Sequence, residues 1–297
     1  MKIDNTNHVE NKLLKGYTFY HPYILQNPAW QLNDSQDWAL LDNLFTTQLI
    51  HASSAVNVLD FGCYLGALPL LVEDLLYGGR SDHKGKVKWT LVDNFSFLQD
   101  LKDKLANSTH TPIYQNTEST IRGWKTITRF PWKEQLFKLP PTNPVELRTM
   151  LDNIIEYYKA PVPNIVKIDT QIDDSDSTVF DMVYFDLSAG QYEINLAALQ
   201  QCLPKLKHNG IIIFDDVKPA HPQQIALFFH AISSMGLTPI AFGRNKVAAL
   251  NNSSIDEKNQ YISTVLKSRL HSKENNLYYY WDTLTNPIFG DVQSLHI

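Results

Sequence analysis

Apolar and polar positions along this chain keep two rhythms. Short apolar runs of strand length mostly end in an acid, and longer stretches place apolar residues at helical spacing. The strand-like runs are Asn57 to Phe61, Val87 to Val92, Asn164 to Ile168, Met182 to Phe185 and Ile211 to Phe214. Two more, Thr238 to Phe242 and Lys246 to Leu250, flank Gly243-Arg244-Asn245 and predict a closing hairpin. Helical spacing runs from Ala67 to Tyr77 (closed by Gly78-Gly79), Phe97 to Asn107, Ile194 to Leu206 and Pro222 to Met235. Gly210 is expected to turn the chain into the fifth strand. Ahead of these, Asp34 or Ser35 is placed to cap a helix carrying Trp38, Leu40, Leu41, Leu44, Phe45 and Leu49. Strands alternating with helices predict a doubly wound, Rossmann-like α/β domain. Its sheet is expected to have seven mostly parallel strands, with the last antiparallel.

One interval breaks the rhythm. Asp93 and Asp169 stand 76 residues apart, whereas a βαβ repeat needs only about 30. The surplus, about 115–160, holds Trp124, Phe130, Pro131, Trp132 and Phe137, then a helix from Pro144 to Lys159. Asn143 is its N-cap, with Pro144 at the first helical position. Such an insertion reads as a lid, with a partner surface or mere decoration as the alternatives. The chain therefore divides into an arm and first helix over 1–50, the α/β domain over 51–250, and an extension over 251–297.

Composition narrows the function classes. A hydrophobic fraction of 43% supports a sizeable core, and a net charge of -5 with no basic run argues against a nucleic-acid surface. Cys63 and Cys202 are far apart and read as reduced thiols. Met1 to Lys15 is polar and mixed in charge, unlike a signal peptide. No apolar run approaches the roughly 20 residues that span a bilayer. These features predict a soluble, cytoplasmic protein with no membrane partner.

The candidate chemistry sits where the strands end. Asp60, Asp93, Asp169, Asp186 and Asp215 each close a strand, and ligands of open α/β sheets bind outside those ends. Asp60-Phe61-Gly62-Cys63-Tyr64-Leu65-Gly66 spaces its glycines as D-x-G-x-x-x-G rather than the G-x-G-x-x-G of dinucleotide enzymes. A rim of acids suits a ligand with hydroxyls, an amino group and a positive centre, which points to S-adenosylmethionine rather than NAD. Taken singly, each acid is as well explained as a turn former or cap.

In motif order the chain resembles class I S-adenosylmethionine-dependent methyltransferases, and among them the macrocin O-methyltransferase-like group of small-molecule enzymes. Asp60 to Gly66 resembles the first motif and Leu91-Val92-Asp93-Asn94-Phe95 the second. Ile168-Asp169-Thr170 resembles the segment near the adenine amino group, and Phe180 to Lys218 the last motif with its paired acids. The resemblance covers about 55–250. It implies that Asp60 and Gly62 hold the methionine end, that Gly66 allows close approach, and that Cys63 and Tyr64 belong to the cofactor site. Asp93 would take the ribose, Asn94 and Phe95 would flank the adenine, and Asp169 and Asp186 would complete the cofactor site. It also implies Mg²⁺ on Asp186, Asp215 and Asp216, of the oxygen-ligand type that ion prefers.

One departure is plain. Related metal enzymes keep a His or Lys three residues past the first acid, where this chain has Ala189. His221, Lys218 and Glu193 are the alternative bases, histidine having the most suitable unperturbed pKa. The expected activity is methyl transfer to a small molecule, most naturally at oxygen. Without a base, the same fold would instead act as a cyclase or lyase that consumes S-adenosylmethionine and releases methylthioadenosine. A third reading is a catalytically degenerate binding partner. Tyr17, Tyr20 and Tyr23 suit either a cover over a sulfonium or simple packing, and the aromatic surfaces also suit a homodimer.

Overall fold

The computed structural model describes parts of 40–48 and 54–73, then 86–106, 141–158, 162–187, 190–218, 220–242, 245–261 and Tyr279–Tyr280. Expectations for the N-terminal arm, the aromatic part of the insertion, Ala189 and most of the C-terminal extension lie outside these residues. The strands are β1 (Val56–Phe61), β2 (Val87–Val92), β3 (Asn164–Asp169), β4 (Phe180–Phe185), β5 (Leu206–Phe214), β6 (Leu237–Phe242), β7 (Val247–Asn251) and β8 (Tyr279–Tyr280). The helices are α1 (Ser96–Ala106), α2 (Pro144–Tyr158), α3 (Tyr192–Cys202), α4 (Pro222–Ser234) and α5 (Ile255–Tyr261). Residues 40, 41, 44, 45, 48, 68, 69, 72 and 73 are helical as well. None of these helices is long and apolar enough to cross a membrane.

The strands form one sheet in the order β3-β2-β1-β4-β5-β7-β6-β8. β3, β2, β1, β4 and β5 are parallel neighbours, and β7 joins β5 antiparallel. The Rossmann-like α/β class and the antiparallel close are thus as the sequence predicts. The eighth strand is an addition, because Tyr279 and Tyr280 pair with Phe242 and Ala241 at the edge.

Both sheet faces are covered, so the central strands read as nearly continuous apolar runs. Leu59, Phe61, Val183, Phe185, Ile212 and Phe214 pack against Leu199, Leu203, Leu227, Phe228 and Ala231 from α3 and α4. The Phe214 and Phe228 rings meet at 5.5 Å. On the opposite face Trp89 is fully buried against Phe45, with centroids 5.6 Å apart.

Two boundaries differ from expectation. Helix α3 ends at Cys202, since Pro204 lies just beyond, in a short 3-10 turn over Leu203–Lys205. β5 then begins at Leu206, so Gly210 lies inside the strand rather than at its turn. The shift comes from a bulge: Phe180 pairs with Leu206, yet Met182 already pairs with Ile211. Helix α2, the last part of the insertion, forms as predicted. Asn143 Oδ1 accepts from the Glu146 amide at 3.0 Å, while Glu146 accepts from the Thr142 amide at 2.9 Å. Arg148 Nη2 donates to the Ile165 carbonyl at 2.9 Å and fastens α2 to β3.

Phe228→Ala removes a fully buried ring and is expected to cost about 3–5 kcal/mol. Urea unfolding of that variant checks this; a midpoint equal to wild type would remove Phe228 from the core.

Candidate functional site at the carboxyl ends of the strands

The site is built around the turn that follows β1. Gly62 has φ +90° and Gly66 φ +67°, both in the left-handed region. A Cβ on Gly62 would fall 1.8 Å from the Asp186 carbonyl oxygen. No side chain fits there. The Asp186 amide in turn donates to the Phe61 carbonyl at 2.9 Å, so the ends of β1 and β4 are stitched together beneath the turn. Gly62 and Cys63 amides both donate to the Val92 carbonyl, at 2.8 and 3.2 Å, which ties the turn to β2. Above Gly66 lie Leu147 and Leu151 of α2, so this part of the insertion packs directly on the turn.

Asp93 is the clasp between β2 and that turn. Its Oδ2 accepts from the Tyr64 amide at 2.8 Å and its Oδ1 from the Phe95 amide at 2.6 Å. Tyr64 (φ 50°) and Phe95 (φ 57°) both take left-handed backbone to aim those amides. Burial raises the Asp93 carboxyl above its ordinary range, and the two amides partly offset this. A carboxylate has about four acceptor positions, so Asp93 keeps capacity for outside donors. The Tyr64 ring lies 6.0 Å from the exposed Phe97, and its buried hydroxyl has no partner. Asn94 Oδ1 accepts from the Ser96 amide at 3.0 Å and is occupied in starting α1.

Strand register explains the polar row beside the turn. Side chains two apart on a strand share a face. Asp60 pairs with Tyr184, Tyr184 with Ile213, and Ile213 with Ala248 of the antiparallel β7. Two residues toward the rim, Asp215 therefore faces Lys246 on that same side. Lys246 Nζ contacts Asp215 Oδ1 at 2.6 Å, the Tyr184 hydroxyl donates to Asp215 Oδ2, and Lys246 lies 5.7 Å from the Tyr184 ring centroid. Burial alone would raise the Asp215 carboxyl, but the Lys246 ammonium beside it holds it below its ordinary range. The same burial, with the Asp215 charge next, pushes the Tyr184 hydroxyl well up.

Asp60 has no such partner among the described residues. Asp60 is 1% exposed and its Oδ2 accepts no hydrogen bond. Burial, then the charges of Asp93 and Asp215, raise its carboxyl well above the ordinary range. Asp186 is raised likewise by burial and then by Asp215, with Lys246 opposing.

Of the remaining expected residues, Asp216 lies beside Asp215 on this rim, with Lys218 and His221 near it, while Glu193 and Asp169 lie apart. Asp216 sits at φ 58°, with Lys218 Nζ 2.6 Å from its Oδ1 and His221 Nδ1 3.5 Å from its Oδ2. His221 precedes α4, and the Gln224 amide donates to its carbonyl at 3.1 Å. Glu193 is exposed in the first turn of α3. Asp169 accepts from its neighbour's amide at 2.7 Å and pairs with Lys167 at 3.4 Å. It lines a cleft with Lys167, Ile172, Asp173, Asp176 and Lys205 that does not reach Asp60, Asp93 or Asp186.

The donor set for Mg²⁺ does not fit. Both oxygens of Asp215 are engaged by protein donors and Asp216 already carries an ammonium. Among the described residues no three His, Cys, Asp or Glu side chains are placed to hold a metal ion.

Tyr184 and Lys246 are the site members that sequence reasoning missed. Tyr184 carries a faint signal, a polar tip in an otherwise apolar strand, two residues before Asp186. Lys246 carries none, because its place depends on how β7 registers with β5.

No family model matches the chain, and no curated protein matches it. Among solved structures it is similar to the O-methyltransferase NovP, at 13% identity, 84% of this chain, 100% of that one and a TM-score of 0.48. It is also similar to CalS11, a TDP-rhamnose 3'-O-methyltransferase of calicheamicin biosynthesis, at 14% identity, 82% and 90% coverage and a TM-score of 0.46. A third is the N-methyltransferase NodS from Bradyrhizobium japonicum WM9 in complex with S-adenosyl-L-homocysteine, at 12% identity, 80% and 99% coverage and a TM-score of 0.39. At these identities and scores the reading of the site rests on its own residues.

Gly62→Ala would force a Cβ into the Asp186 carbonyl at a strained φ. It is expected to cost about 3 kcal/mol or more, read as a lower urea midpoint; an unchanged midpoint would show that the turn has room.

Proposed function

We propose that the chain is an S-adenosylmethionine-dependent methyltransferase acting on a small molecule, at an oxygen acceptor. The observation that carries this reading is a buried carboxyl oxygen, Asp60 Oδ2, left without a partner among the described residues at the glycine turn. A buried unpaired acceptor is costly, and a cationic donor offsets that cost. The amino group of a methionine moiety supplies both the charge and the hydrogen-bond donor. One strand further, Asp93 is fixed by two amides with acceptor capacity to spare, which suits a pair of ribose hydroxyls. The ring of Phe95, buried beside this clasp, supplies an apolar boundary.

The bound cofactor would supply a methyl group already activated on a sulfonium. What remains for the chain is to orient, to exclude water and to accept one proton. Asp60, Gly62, Tyr64 and Asp93 serve orientation, and Leu147 and Leu151 shut water out above Gly66. Of the three candidate bases, Lys218 is engaged with Asp216 and Glu193 is exposed on α3. His221 is the group proposed to take the proton; its buried Nδ1 lies 3.5 Å from Asp216 Oδ2 and makes no hydrogen bond among the described residues.

Calorimetry with S-adenosylmethionine is expected to show one site of about micromolar Kd, weakened at least about tenfold in Asp93→Asn. No binding to the wild type would overturn the cofactor assignment, and equal binding by the variant would remove Asp93 from the ribose. Incubation of the protein with S-adenosylmethionine alone, followed by mass spectrometry of the nucleosides, is expected to return it unchanged. Accumulating methylthioadenosine would replace methyl transfer with a lyase or cyclase reaction.

A further inference from the structure

Carboxylates from three strand ends gather on one rim: Asp60 from β1, Asp186 after β4, and Asp215 and Asp216 after β5. Like charges so close in a low-dielectric setting repel strongly. Protonation relieves part of this, as the raised Asp60 and Asp186 carboxyls show, and a captured metal cation or an ammonium from the protein itself relieves the rest. The chain uses a lysine that is 7% exposed, with its Nζ 2.6 Å from Asp215 Oδ1.

The antiparallel strand is what makes this lysine available. β1, β4 and β5 all run toward the rim and deliver their last residues there, whereas β7 starts at the rim and delivers the residue just before it. Lys246 precedes Val247, which pairs with Phe214, so it meets Asp215 directly. The Val217 amide donates to the Asn245 carbonyl at 2.8 Å and pins the two segments together. Lys246 also lies over the Tyr184 ring, whose hydroxyl holds the second oxygen of Asp215. Both oxygens of that carboxylate are thereby bound to the protein.

We infer that the Lys246 ammonium is a built-in cation of this site, held between the strand ends where a divalent ion would otherwise be needed to bind Asp215 together with Asp186 or Asp216. The site is then complete without a metal. This rests on the cofactor reading above only for its functional consequence, which is that cofactor binding needs no divalent ion.

Mn²⁺ is the probe, with free Mn²⁺ followed by electron paramagnetic resonance on EDTA-treated, desalted full-length protein. The wild type is expected to leave millimolar Mn²⁺ free. Lys246→Gln is expected to gain one Mn²⁺ site, lost again when Asp215→Asn is added. A wild-type Mn²⁺ site abolished by Asp215→Asn would overturn the inference, and so would a folded Lys246→Gln that binds none. If Lys246→Gln does not fold, Lys246→Arg keeps a cation at the same place and must leave Mn²⁺ free; a Mn²⁺ site in that variant overturns the inference. S-adenosylmethionine binding measured by calorimetry in EDTA and in MgCl₂ is expected to agree, and a change of about tenfold or more would count against it. No cofactor binding in either buffer would remove the methyltransferase reading, while the Mn²⁺ result would still decide the role of Lys246.

Discussion

The contact between Gly62 and the Asp186 carbonyl fixes the geometry on which the rest of the site depends. The Asp186 amide is bonded to Phe61, and its carbonyl then occupies the volume that any side chain at 62 would need. β1 and β4 are hydrogen-bonded from Val58 to Phe61, so their ends cannot part to make room. The turn is therefore a tight one, packed through its backbone against the end of β4. Leu147 and Leu151 then close over Gly66, which gives α2 a place in the site as well as in the core.

Around that turn the charges are graded rather than uniform. Asp215 is ionised and fully satisfied by Lys246, Tyr184 and the Asp216 amide. Asp93 is held by two amides but left with acceptor capacity. Asp60 is buried with an oxygen unsatisfied and its carboxyl raised. From β5 to β1 the protein satisfies its own carboxylates less, and beyond β1, at the end of β2, two amides hold Asp93. On the proposed function, a cationic, hydroxyl-bearing ligand rather than a phosphorylated one would complete the site.

Much of this was legible in the chain itself, for local reasons. Strands β1, β2 and β3 announce themselves as apolar runs with an Asp at or beside their end, and α2 by Asn143-Pro144. The glycine spacing after Asp60 marks a turn because only glycine takes φ near +90° without strain. The boundaries that shifted, α3 at Pro204 and the start of β5, depended on pairing with β4, a long-range contact. The Mg²⁺ ligand set was read from residue type and order. Type and order do not reveal that another strand has already supplied the cation.

The sequence by itself determined the α/β class, the order of the central elements, the tight turn and the acids near the strand ends. Each of these follows from local periodicity, backbone conformational preference or a short motif. The tertiary structure alone decided which acid is paired, which is left open and which residues join them. Tyr184 and Lys246 lie 62 residues apart and meet only through the registers β4–β5 and β5–β7. A register is set by the packing of whole strands, and a shift of one residue would turn Lys246 to the other face of the sheet.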